Sequence, residues 1–173
     1  GGFPASFGDR SSGVIAFRPP PIEDELYGRA LVSFFSAGVA GGGRFDDDRG
    51  DWRVSARRGN MDLIFKAVAD EIGKPEYYDL HARVGHRIGD YATLSANALV
   101  FDDRLTASDS DQEELARATY RDEYYWLRLD LGSESGAGAR VLAGETRLHG
   151  TRSGTMDLPG IASGSLDERR RTR

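Results

Sequence analysis

The sequence predicts an all-β chain, an antiparallel up-and-down transmembrane β-barrel represented in part by about eight strands. Three observations carry that prediction. Apolar and ionisable residues alternate with period two: from Tyr78 one phase reads Tyr78, Leu80, Ala82, Val84, His86, Ile88, and the other reads Asp79, His81, Arg83, Gly85, Arg87. That spacing belongs to a strand whose two faces meet different surroundings. Turn-rich segments separate the alternating runs. From Asp46 onward, short and long connections also alternate: 46–51, then 59–76; Gly89-Asp90, then 102–119; 132–138, then 150–164. Alternate connections of a meander lie at the same end, so one end carries trim turns and the other long loops, as in outer-membrane barrels.

The elements follow in order. GGFPASFGDRSSGVIAF (1–17) is glycine-rich and finishes on Val14-Ile15-Ala16-Phe17, which reads as turns leading into one strand. Arg18-Pro19-Pro20-Pro21 stiffens the chain and blocks a ladder, so a linker is placed there. Residues 27–36 and 37–45 read as strands meeting in a tight turn near Ser36-Ala37-Gly38, and DDDRGD (46–51) as a polar turn. In 52–58, Trp52, Val54 and Ala56 alternate with Arg53, Ser55 and Arg57. One segment has helical spacing, with Met61, Ile64, Phe65, Val68 and Ile72 apolar, Asn60 placed to cap it and Gly73 with Pro75 to stop it. Gly89-Asp90 is the tight turn of a hairpin. After it, Leu94, Ala96, Ala98 and Val100 oppose Thr93, Ser95 and Asn97. Within 118–131, Tyr125, Leu127, Leu129 and Leu131 oppose Trp126, Arg128 and Asp130. A turn over 132–138, a strand over 139–149 and a last strand from near Ser165 complete the series.

Composition narrows the function. The 173 residues contain no cysteine, which excludes disulfides, thiolate metal sites and cysteine nucleophiles. The net charge of −5 argues against nucleic acid as a partner. No run of about 18 apolar residues exists, so no transmembrane helix is expected, but a transmembrane strand needs only about 9–11 alternating residues. In a lipid-embedded barrel the apolar phase faces acyl chains and the ionisable phase a wet lumen. Arg53, Arg57, Asp79, His81, Arg83, Arg87, Arg128 and Asp130 are then the lumen-facing candidates. A one-residue slip in the strand from Tyr78 would turn Asp79, Arg83 and Arg87 toward lipid, at roughly 2–4 kcal/mol per arginine near the midplane. Strand-end aromatics Tyr27, Trp52, Tyr77, Tyr78, Tyr91, Tyr120, Tyr124 and Tyr125 suit interfacial girdles. A soluble antiparallel barrel or sandwich, with the apolar phase as its core, accommodates the alternation equally well.

Other chemistries find little support. His81 and His86 are five apart, so on one strand they face opposite sides and cannot share an ion. Asp109, Asp111 and Glu113 hint at calcium, but the glycine an EF-hand loop needs at its sixth position is Glu114 here. The glycine clusters at 41–43 and 136–138 are not followed by the Lys-Ser/Thr of a phosphate loop. No Gly-x-Ser-x-Gly elbow appears. Neither catalytic residues, nor a metal site, nor a cofactor is therefore expected.

The order of segments resembles the TonB-dependent receptors of Gram-negative outer membranes. Phe7-Gly8 and Gly13-Val14-Ile15 are similar to the glycine-rich end of that family's plug domain, although the family often has Tyr before the first glycine and a second Gly where Ser12 stands. GGGRFDDDRGDWRVSARRGNMDL, YYDLHARVGHRIGD and YRDEYYWLRLD look like its early barrel strands, and DLPGIASGSLDERR like the lead-in to a later one. The resemblance implies the end of a plug domain with its linker over 1–22 and the N-terminal part of the barrel over 23–173. The whole receptor would be a plugged barrel of roughly 22 strands, located in the cell outer membrane. It would import a ferric siderophore, cobalamin or glycan with energy from the TonB complex, reached through a TonB box that this stretch lacks. Outer-membrane lipid and lipopolysaccharide would be its surroundings. The residues leave other readings open: a porin, adhesin or autotransporter translocator barrel, or a soluble β-barrel binding module.

Overall fold

A computed structural model describes residues 22–61, 74–108, 114–132, 138–158 and 162–172. The strands these residues build are β1 (Leu26–Val32), β2 (Ser36–Phe45), β3 (Gly50–Gly59), β4 (Lys74–Ile88), β5 (Ala92–Ser108), β6 (Glu114–Leu131), β7 (Ala139–Leu158) and β8 (Ala162–Thr172). They form one antiparallel sheet in sequence order, each strand bonded to the next, with β1 and β8 at its edges. The sheet is an open meander. The segments read as the plug end and linker, and most of the predicted helix, lie outside the described residues.

Register follows from side-chain chemistry. β3 and β4 pair Val54 with Ala82 and Ala56 with Leu80, while Arg57 meets Asp79. β4 and β5 pair Val84 with Ala96 and Leu80 with Val100. Apolar residues face one another across these pairs, so the strands in the middle of the sheet contribute their apolar phase to one face and their ionisable phase to the other, where Leu99 and Phe101 stand opposite His81 and Asp79. A slip of one residue would mix them.

Three boundaries differ from the sequence expectation. The first turn spans 33–35, not the neighbourhood of Ser36, because Ser33 closes it. The Ser33 N–H donates to the Ser36 carbonyl at 2.8 Å and its hydroxyl donates to the same carbonyl at 3.0 Å. Residues 102–108, 114–119 and 150–158, expected in long loops, are strand. Charged residues made these stretches read as loop, yet the register sets Glu76 opposite Arg104, Asp102 opposite Arg121 and Arg152 opposite Glu168. Opposite charges directly across a ladder stabilise it by about 0.2–1 kcal/mol each. The asymmetry between the ends therefore appears as strand length: β5, β6 and β7 run 17, 18 and 20 residues, against 7 for β1. Asn60, placed as a helix cap, donates its N–H to the Phe35 carbonyl at 2.8 Å and its side-chain amide to the Ser33 carbonyl at 3.2 Å. It fastens the end of β3 to the first turn.

Candidate functional site: two faces of opposite character

The ionisable face assembles from five strands. Arg53 lies across from Arg83, Arg83 across from Asn97, and Asn97 across from Trp126. The neighbouring rows are Arg57–Asp79, Ser55–His81, Gly85–Ser95–Arg128 and Arg87–Thr93–Asp130. All eight residues singled out from the sequence, Arg53, Arg57, Asp79, His81, Arg83, Arg87, Arg128 and Asp130, thus share one face. Arg57 Nε donates to Asp79 Oδ2 at 2.7 Å, and Arg83 pairs with Asp51. Asp130 accepts from Arg128 Nε at 2.5 Å and, across the ladder, from Arg140 Nε at 2.7 Å. Asp51 and Arg140 join the eight on this face. In the sequence Asp51 reads as part of the polar turn, although it alternates in step with Arg53; Arg140 holds the same phase at the start of β7.

The other face is apolar and open. Leu127 is 53% exposed and Val84 46%, while Ser95 on the ionisable face is 5% exposed. Among the described residues no hydrophobic side chain is buried. A cavity of about 740 Å³ opens on the ionisable face, with Arg53, His81, Arg83, Asn97, Trp126 and Arg128 among its walls. The apolar face is therefore bare, with no second layer packed on it as in a soluble β-sandwich, while the ionisable face is half-covered, Arg83 and Asp51 being 29% and 25% exposed and Arg57 52%.

Above the apolar band the same face becomes charged at a definite line. Going up the strands, the first charged residue is Arg58 on β3, Glu76 on β4 (two residues above the level of Arg58), Asp102 on β5, Glu123 on β6 and Glu145 on β7. Arg58 is level with Asp102 through Tyr78, Glu123 is level with Val100, and Glu145 with Tyr125. The line thus descends obliquely across the register. Tyr78 and Tyr125 stand close to it, each with an arginine over its ring: Arg58 at 5.7 Å and Arg147 at 5.6 Å from the centroids.

The aromatics divide between the faces. Trp52, Tyr78 and Tyr125 share the apolar face, whereas Tyr27, Tyr77, Tyr120 and Tyr124 lie on the ionisable one. The expected girdle is reduced accordingly, and the reason is glycine. Tyr27 lies directly across from Gly42, Tyr120 from Gly150 and Trp126 from Gly144, with Trp52 and Phe45 opposite Gly43 and Gly50 on the other face, and the Tyr77 ring lies against Gly59. The rings of Tyr27, Phe45, Tyr77 and Tyr120 cover positions with no side chain of their own and fix the local register.

At the opposite end from the charged line, Asp46, Asp47 and Asp48 all adopt positive φ, 55°, 50° and 65°. Aspartate is one of the few residues that tolerate this left-handed region. His86 Nε2 and Asp46 Oδ2 are 2.8 Å apart, and this hydrogen bond, aided by Arg49, holds the Asp46 carboxyl below its ordinary range. His86 belongs to the apolar face, opposite Gly50, and His81 to the ionisable one, opposite Ser55, so the two cannot bind one ion. Phe7, Gly8, Gly13, Val14 and Ile15 of the plug-end motif, and Asp109, Asp111 and Glu113, lie outside the described residues. The chain matches no protein-family model, no curated protein and no solved structure.

Proposed function

We propose that this chain forms part of the wall of an outer-membrane β-barrel, that of a TonB-dependent receptor importing a scarce solute, and that it is not an enzyme. The observation carrying the barrel reading is the inverted coverage: exposed leucine and valine on one face, half-covered arginine and aspartate on the other, and no buried apolar side chain among the described residues. Such a sheet is unstable against water on its apolar face and comfortable against acyl chains. The ionisable face then lines the lumen, where Arg53, Arg83, Arg87 and Arg128 would meet the plug or the passing solute. The receptor assignment, finer than the barrel, rests on the plug-like residues 1–22.

The barrel reading is tested with single cysteines, since the chain has none of its own. Spin labels at Val84, Leu94 and Leu127 should collide with oxygen in bilayers, and labels at Arg83 and Arg128 with a water-soluble nickel chelate. Labels at all five positions reporting water would point to the soluble module instead. The receptor assignment is tested by reading the coding sequence on both sides, where a TonB box and plug should lie upstream and further alternating strands downstream.

A further inference from the structure

The ionisable face changes sign along its strands. Ser55, His81, Leu99 and Tyr124 form one row across β3 to β6 that is free of arginine, lysine and carboxylate. Below it, on the same four strands, Arg53, Arg83, Arg87 and Arg128 stand against Asp51 and Asp130; above it, Arg57 stands against Asp79, Asp103 and Asp122. With these counter-charges included, the wall is +2 below the row and −2 above it. The flanking strands keep the sign: β2 and β7 add Arg44 and Arg140 below, β7 and β8 add Arg152, Glu168 and Arg170 above, and Arg29 of β1 is level with the row. At the lower rim the turn Asp46 to Asp48 is acidic again, but Asp46 is held by His86 and Arg49, and Asp48 by Arg44. The basic residues thus form a belt.

Above the row, Asp103 and Asp122 make no ion pair among the described residues, and the charges acting on Asp103 are those of Asp122, Asp102 and Asp79, all carboxylates. Phe101 lies two residues below Asp103 and directly across from Asp122. The rings of Tyr77 and Tyr120, on either side of Asp103, already carry Arg57 and Arg152 at 5.5 and 5.2 Å. Among the described residues no three groups converge as a metal ion would need. The cation suited to two carboxylates beside an aromatic ring is an organic ammonium. In the belt the chemistry inverts. Arg53 lies directly across from Arg83 on the wall of the 740 Å³ cavity, with Asn97 next in the row. Like charges so placed are unfavourable, and an oxyanion between them relieves the repulsion. Asp51 engages Arg83 through Nη1, which leaves Nε and Nη2 for a ligand. From Asn97 to Asp103 is six residues of β5, and from Trp126 in the same row to Asp122 is four of β6, so the two sites lie roughly 13–20 Å apart. We propose that the ionisable face holds an amphoteric solute lengthwise, its carboxylate or other oxyanion at Arg53 and Arg83 and its ammonium group at Asp103, Asp122 and Phe101. This rests on the barrel reading above and adds the charge pattern of the solute.

The chain is refolded in neutral detergent micelles and titrated with hexaglycine, which spans about 20 Å when extended, and with its N-acetylated and C-amidated forms. Backbone amide shifts report binding and where each end lies. Hexaglycine should bind about tenfold more tightly than either blocked peptide, the usual effect of a hydrogen bond to a charged group, and should move the amides of both Asn97 and Asp103. The acetylated form should move Asn97 alone, and the amidated form Asp103 alone. The pair Asp103→Asn and Asp122→Asn should weaken hexaglycine about tenfold and leave the acetylated form unchanged. Arg53→Gln should weaken hexaglycine and leave the amidated form unchanged. Equal binding of the three peptides, hexaglycine binding that neither variant alters, or an ammonium end that maps to the turn at Asp46 overturns the proposal. Oxygen accessibility at Val84, Leu94 and Leu127 is measured on the same variants. An intact oxygen pattern with no preference for hexaglycine overturns the amphoteric solute alone. A lost pattern with the preference kept overturns the barrel and leaves the site standing.

Discussion

Gly42 is glycine because its neighbours leave no room for anything else. A Cβ built there would lie 2.6 Å from the Tyr27 ring and 2.7 Å from the Trp52 carbonyl oxygen, and the second of these is backbone that cannot rotate away. Gly28, on the adjacent edge strand, has nothing within 4 Å of the same position. The two glycines therefore separate the effect of crowding from the loss of glycine's chain entropy. Gly42→Ala should destabilise the sheet by about 1–3 kcal/mol, the usual cost of overpacking. Gly28→Ala should be neutral or stabilising by up to about 1 kcal/mol. Urea midpoints in detergent micelles measure the difference; equal midpoints for the two variants would mean that the Tyr27–Gly42 pairing does not hold the register. The pairing was invisible in the sequence, where Tyr27 and Gly42 stand fifteen positions apart and each looks like an ordinary strand-end residue.

The same contrast between local chemistry and pairing operates at the level of whole strands. On the apolar face β5 and β6 carry charge only in the half that extends beyond the apolar band, and that half is held by Asp102 across from Arg121 and by Arg104 bonding Asp102 at 2.9 Å. Asp102→Arg would place three arginines together, and Arg121→Asp would set an acid against Asp102. Each single change should speed amide exchange over Asp102 to Ser108 while leaving Leu94 to Val100 as slow as before. The double exchange should restore protection, because it recreates the opposite-charge pair with its ends swapped. Exchange that is unaltered in the singles would show that backbone pairing alone carries the extension. This is also where the sequence was least readable. Strands with an apolar phase, such as Tyr78 to Ile88, announce themselves by period, and with them the sharing of one face by Arg53, Arg83 and Arg128. Strands whose two phases are both polar do not, since the residues that complete them lie on another strand: Asp102 looks like loop until Arg121 is set opposite it.

Across the whole molecule, the oblique line where apolar gives way to charged carries orientation. From Arg58 on β3 to Glu145 on β7 the line descends four residues while crossing four inter-strand steps. At about 3.3 Å per residue and about 4.8 Å between strands, that is a slope of roughly 0.7, which inclines the strands about 35° from the perpendicular to the line. If the line marks the edge of the hydrocarbon, 35° is the tilt of the strands from the bilayer normal, and it falls in the range of about 35–45° that outer-membrane barrels adopt. The same tilt fixes the height of the band. Along β5 the apolar face runs from Ala92 to Val100, about 26 Å of strand and hence about 22 Å of depth, close to the belt of about 25 Å such barrels present. A soluble sheet has no reason to draw an oblique boundary that falls from β3 to β7, since its outer face meets only water. Polarised infrared spectroscopy of the chain in aligned bilayers reads this directly: the amide I dichroism should correspond to strands about 35° from the normal. Strands lying near the membrane plane would make the sheet a surface-adsorbed one, and the charged line would then have to be explained by contacts with another protein.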